Sequence, residues 1–151
     1  MPKSAKLALV SALLFLALSP FSGTATADMA VTADRCSGTL VESRNIKTSD
    51  GVIGYLNVYW DGHYNCAETV SANQNWGVLK SMSAYIASCP KSNKGGDSCD
   101  VIDSDSDIDG YRYYAGPVRV DGRDRCITAT GYILWPDQEG WARTSPYVGH
   151  C

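Results

Sequence analysis

Phenylalanine is missing from most of this chain: its two copies, Phe15 and Phe21, both lie within the first 27 residues. None of the six cysteines stands in a C-x-x-C pair, which removes the spacing used by zinc and thiol-redox sites. Neither H-E-x-x-H nor G-x-S-x-G occurs, so neither zincin chemistry nor a nucleophile-elbow hydrolase has a footing. Only two histidines are present, His63 just after an Asp-Gly turn signal and His150 beside the last cysteine, and neither has an evident partner. A carboxylate pair for glycoside hydrolysis can be drawn from Glu42, Glu68 and Glu139, and a ribonuclease-like set from His63, Glu68 and Arg125, but no spacing selects either. A positive excess is lacking too. The formal net charge is −3, and an acidic surface repels phosphate backbones and anionic lipid, which argues against nucleic acid and membranes as partners. The chain reads as a protein that is not an enzyme.

What is present first is an export signal. Lys3 and Lys6 precede an apolar run from Leu7 to Leu18, and small residues at Ala25 and Ala27 complete the pattern read by signal peptidase. The run is shorter than the roughly 20 residues that span a bilayer. Cleavage after Ala27 leaves residues 28–151, the size of one domain, and loss of two lysines makes it more acidic. In an oxidising compartment Cys36, Cys66, Cys89, Cys99, Cys126 and Cys151 are expected to form three disulfides. One pair has a local argument, because Cys89 and Cys99 flank a loop-forming stretch, Pro90 to Ser98. The other four cysteines stay unassigned at this point.

Short β-rich segments between turn signals replace any long helical period. Residues 51–60 and 63–72 read as a hairpin about Asp61-Gly62, with Leu56, Val58 and Trp60 on one face and Tyr55, Asn57 and Tyr59 on the other. Residues 76–88 alternate with apolar groups on both faces; 111–120 form a strand interrupted near Pro117; 125–134 return after Asp121-Gly122; and 141–151 close the chain. Five to seven strands in one all-β domain predict a β-sandwich or barrel-like fold.

Two groups of residues suggest binding. Asp105, Asp107 and Asp109 before Gly110, with Asp103 ahead of them, match the first half of an EF-hand loop, so Ca²⁺ is the one cofactor to weigh. The match then fails, since the twelfth position is Gly116 and no helix flanks it; the alternative is a solvated acidic loop. Trp60, Trp76, Trp135 and Trp141 are candidate platforms for sugar rings, whereas a domain without phenylalanine is also expected to build its core from such rings. The 89–99 loop, with Lys91 and Lys94, suits a secreted inhibitor of trypsin-like hydrolases.

Several segments together resemble the spore-associated protein A family of small exported proteins from filamentous spore-forming bacteria. They are Cys36-Ser37-Gly38, Ile53 to Tyr59, Tyr64-Asn65-Cys66, and most distinctively Tyr113-Tyr114-Ala115-Gly116-Pro117-Val118 followed by Arg125-Cys126-Ile127-Thr128. A cysteine closes the chain. The family pattern has four cysteines, matching Cys36, Cys66, Cys126 and Cys151, which makes Cys89 and Cys99 an addition and implies the bridges Cys36–Cys66 and Cys126–Cys151. The resemblance further implies a secreted, extracellular or spore-surface location, with cell-wall or spore-surface components as partners, and carries over no catalytic residue. The expectation is a secreted, non-catalytic protein of the cell or spore exterior; a carbohydrate-binding module and a hydrolase inhibitor are the alternatives.

Overall fold

The computed structural model describes residues 35–151, which fall within one compact unit; the expected export segment lies outside the described residues. Eight strands occur among them: β1 (Thr39–Thr48), β2 (Gly51–Trp60), β3 (Tyr64–Ser71), β4 (Lys80–Cys89), β5 (Asp103–Tyr111), β6 (Tyr114–Asp121), β7 (Cys126–Leu134) and β8 (Glu139–Arg143). They form two antiparallel sheets, ordered β1-β2-β3-β6 and β5-β4-β7-β8. The all-β, disulfide-linked sandwich is therefore the architecture, with one strand more than the upper count expected.

The hairpin of β2 and β3 turns where the sequence places it. Gly62 takes φ +99°, and Asp61 Oδ1 accepts the amides of His63 (2.8 Å) and Tyr64 (2.7 Å). Those two amides hold the Asp61 carboxyl below its ordinary range. The ambiguous segment 76–88 resolves once β4 lies between β5 and β7: Met82, Ala84 and Ile86 point into the core. Lys80 shares that inward face. Its Nζ escapes by donating to the carbonyls of Val78 (2.6 Å) and Arg112 (3.1 Å), and burial lowers its pKa. Strand β6 runs through Pro117 rather than breaking there. It is a sheet edge, where a missing N–H costs no ladder bond, and a bulge opposite Ala67–Thr69 takes up the extra residue with Gly116 at φ +95°.

The core contradicts the expectation that Trp and Tyr fill it. Ile46, Ile53, Leu56, Val58, Met82, Ile86, Val118, Val120, Ile127 and Ile133 are buried together, and Tyr111 and Trp135 only pack against them from partly buried positions. The physical reason is close approach of the sheets. A Cβ on Gly54 would sit 2.4 Å from Ile133 Cδ1 of the facing sheet, and one on Gly131 would sit 2.5 Å from Thr69 Oγ1. Such a gap holds aliphatic groups and excludes rings.

The acidic run is a correction of a different kind. Residues expected to form a loop, Ca²⁺-wrapped or solvated, are instead β5, paired along its length with β4. Asp103, Asp105, Asp107 and Asp109 pair with Ser88, Ile86, Ala84 and Met82, so they share the inward face at the sheet's edge. There two of them reach the other sheet. Asp107 Oδ2 accepts the amide of Gly116 at 2.6 Å, and Asp105 Oδ2 that of Arg119 at 2.9 Å, both on β6. Carboxylates thus occupy edge amides of β6 that would otherwise invite another strand.

Candidate functional site

The strand ends that bear the β2–β3 and β6–β7 turns, together with the C-terminal tail, surround a cleft of about 570 Å³. That is the volume range of small-ligand sites. Trp60, at the end of β2, and Asn65, near the start of β3, are paired across the hairpin and line it. Asn65 is a buried polar residue, 2 % exposed, whose Nδ2 makes a 3.5 Å contact with the Tyr59 carbonyl. Gly122 lies against both side chains: a Cβ there would stand 2.1 Å from Asn65 Oδ1 and 2.7 Å from Trp60 Cζ3. The Asp121-Gly122 turn therefore matters here for the lack of a side chain that lets indole and amide share a wall.

Charged groups edge the cleft. Arg123 donates through its backbone amide (2.9 Å) and guanidinium (2.9 Å) to Asp121, which holds the Asp121 carboxyl well below the usual range. Lys91 lies 3.0 Å from Asp124. The loop that carries Lys91 is closed by the Cys89–Cys99 disulfide and tied down by Asn93 to Asp100 (3.0 and 2.8 Å) and by the Gly95 amide to the Val148 carbonyl (2.9 Å).

The tail forms the remaining wall. Cys126–Cys151 bonds the last residue to the start of β7, and Cys36–Cys66 bonds the segment before β1 to β3; all three bridges match the pairing the sequence and the family resemblance implied. His150, at φ +48°, places Nε2 2.5 Å from Glu42 Oε2, while Glu42 Oε1 accepts the Ser145 amide at 3.0 Å. This corrects the sequence reading of His150 as partnerless. No local pattern signals the pair, because 108 residues separate its members. His63, by contrast, is half exposed, stacks on Tyr64 at 4.2 Å, and stands 3.6 Å from Asp121.

The four tryptophans do not assemble into one platform. Trp60 lines the cleft; Trp76 follows a 3₁₀ turn (Asn73–Asn75) and is exposed against Tyr113, ring centroids 4.9 Å apart; Trp135 packs on the core. Trp141 stands exposed on the outer face of the second sheet, opposite Tyr132. Asp103, Asp105, Asp107 and Asp109 stay apart from the cleft lining, and among the described residues no three His, Cys, Asp or Glu side chains are placed to hold a metal ion. No helix among the described residues is long and apolar enough to cross a membrane.

Sequence reasoning assigns no site role to Asn65, Gly122 or Arg123 and meets Glu42 only as one of three interchangeable carboxylates. Gly122 carries a signal as a turn glycine, whereas Asn65 and Glu42 act through partners fixed only by the fold. No protein-family model, curated protein or solved structure matches the chain.

Proposed function

We propose that this is a non-catalytic binding protein of the cell or spore exterior whose cleft takes carbohydrate. The observation that carries the reading is the pairing of the Trp60 indole with the buried Asn65 amide on one wall, with Arg123 and Lys91 at the rim. A flat apolar ring receives the C–H face of a sugar, and a fixed amide with charged neighbours meets its hydroxyls. The exterior location rests on the leader-like first residues, the three disulfides and the family resemblance. The tied-down 89–99 loop turns Lys91 toward the cleft, which favours this reading over an inhibitor loop offered to a protease.

Retention on chitin, cellulose and peptidoglycan tests it. Trp60→Ala and Arg123→Ala are expected to weaken retention at least tenfold, about 1.4 kcal/mol, while Trp141→Ala leaves it unchanged. Melting curves confirm that each variant is folded. Absence of wild-type retention on all three glycans and on their soluble oligomers removes the proposal.

The Glu42–His150 pair favours one second reading, an acid–base centre in which Glu42 orients the imidazole. On that reading the protein releases reducing ends from a bound glycan and His150→Ala abolishes the release with retention kept. Under the primary reading the wild type releases none.

A further inference from the structure

Away from the cleft, on the outer face of the first sheet, Glu68 is 1 % exposed. It stands two residues beyond Cys66 on β3, so both project from the same face, and Cys66 anchors the segment before β1 through Cys36. That segment delivers Arg35. Its Nε reaches Glu68 Oε2 at 2.7 Å and its Nη2 reaches Oε1 at 2.6 Å, so the guanidinium fork meets both carboxylate oxygens. Arg35 Cζ lies 4.2 Å from the Tyr114 ring centroid, and the Tyr59 hydroxyl donates to Glu68 Oε1 at 3.3 Å. Arg35 itself belongs to no strand, and its side chain is 43 % exposed.

The acceptor is therefore built into paired strands and buried, whereas the donor arrives on an irregular, solvent-facing segment. A buried carboxylate steadied by a tyrosine hydroxyl, and an aromatic face, both meeting one planar cation, are the features that recognise guanidinium rather than ammonium. We propose that Glu68, Tyr59 and Tyr114 form a binding site for an arginine side chain, filled in cis by Arg35 and open to an arginine supplied by another peptide when Arg35 leaves. Tethering gives Arg35 an effective concentration of millimolar order or above, so dilute arginine does not displace it in the intact chain.

The test uses the full chain with Arg35→Ala and reads the melting midpoint against N-acetyl-arginine amide, which stabilises a native state that binds it. A saturable rise is expected in Arg35→Ala. The citrulline analogue, which keeps the shape and loses the charge, should give none, and the lysine analogue should bind at least tenfold more weakly. Wild type and the double variant Arg35→Ala/Glu68→Gln should not respond. If Arg35→Ala does not fold, Arg35→Lys, which keeps charge but not the fork, is read the same way. No saturable rise, or an equal rise in the double variant, overturns the proposal.

Discussion

Reduction of all three disulfides is expected to unfold the domain at room temperature. The bridges span 30, 10 and 25 residues. The chain-entropy relation assigns them about 3.6, 2.7 and 3.5 kcal/mol. Together that is about 10 kcal/mol, as large as the whole stability of an ordinary domain, about 5–15 kcal/mol. The core does not make up the loss, since close sheet spacing restricts it to aliphatic and small side chains. Single bridges should differ in consequence. Cys89→Ala/Cys99→Ala opens a short loop that keeps its Asn93–Asp100 ties, so a cooperative melt at a lower midpoint is expected. Cys126→Ala/Cys151→Ala frees the tail, which contributes buried Val148 to the small cluster around Cys89 and Cys126 and supplies the cleft wall at His150. It should cost more, and it should abolish cleft binding even where the fold survives. Near-ultraviolet circular dichroism with and without reductant makes the measurement. A cooperative transition persisting with six free thiols, counted by mass spectrometry, sinks the argument.

Legibility followed how local the governing interaction was. The β2–β3 hairpin was plain because Asp61 and Gly62 set the turn within a few residues and Leu56 and Val58 alternate toward the core. Strand β1 leaves no mark in the sequence: of its ten residues only Ile46 is buried, because an edge strand that shows most of its surface to water has no apolar period to display. Strand β5 resembles a loop in sequence because aspartate is depleted in strands and its inward face carries charge where core residues are expected. What makes it a strand, pairing with β4 and acceptance of β6 amides, connects residues that composition cannot link. The site behaved the same way. Trp60 was visible as an aromatic, but its partner Asn65 acquires meaning only through burial, and Glu42 only through His150 at the far end of the chain.

The β5 aspartates also make the most specific energetic prediction. Asp105→Ala/Asp107→Ala removes the acceptors for the Gly116 and Arg119 amides and for the Tyr111 hydroxyl, which lies 2.5 Å from Asp107 Oδ1. Each lost charge-assisted bond costs about 1–3 kcal/mol where the donor is left dry. Both amides sit at a partly solvated edge, so the low end applies and about 2–4 kcal/mol is expected in all. Relief of repulsion works the other way. Carboxylates two residues apart on a strand are about 7 Å apart, which in water amounts to roughly 0.6 kcal/mol per pair. Hydrogen bonding therefore wins, and Asp107→Asn, which keeps an acceptor and drops the charge, should lose less than Asp107→Ala.

Tyr111 reports the same contact by its own titration. The hydrogen bond to Asp107, then burial, then the charges of Asp107 and Asp109 push its phenol up from 10.0 to about 12. A raised folded pKa means that this contribution is complete below about pH 10, the unfolded value, and is lost as the pH climbs through about 12. Ultraviolet titration at alkaline pH should show one of the nine tyrosines moving down toward 10 in Asp107→Ala. Tyr59 and Tyr132, raised chiefly by burial, should not move with it. An unchanged tyrosine titration together with an unchanged melting midpoint would mean that β6 is held by β3 alone and that its outward amides need no partner but water.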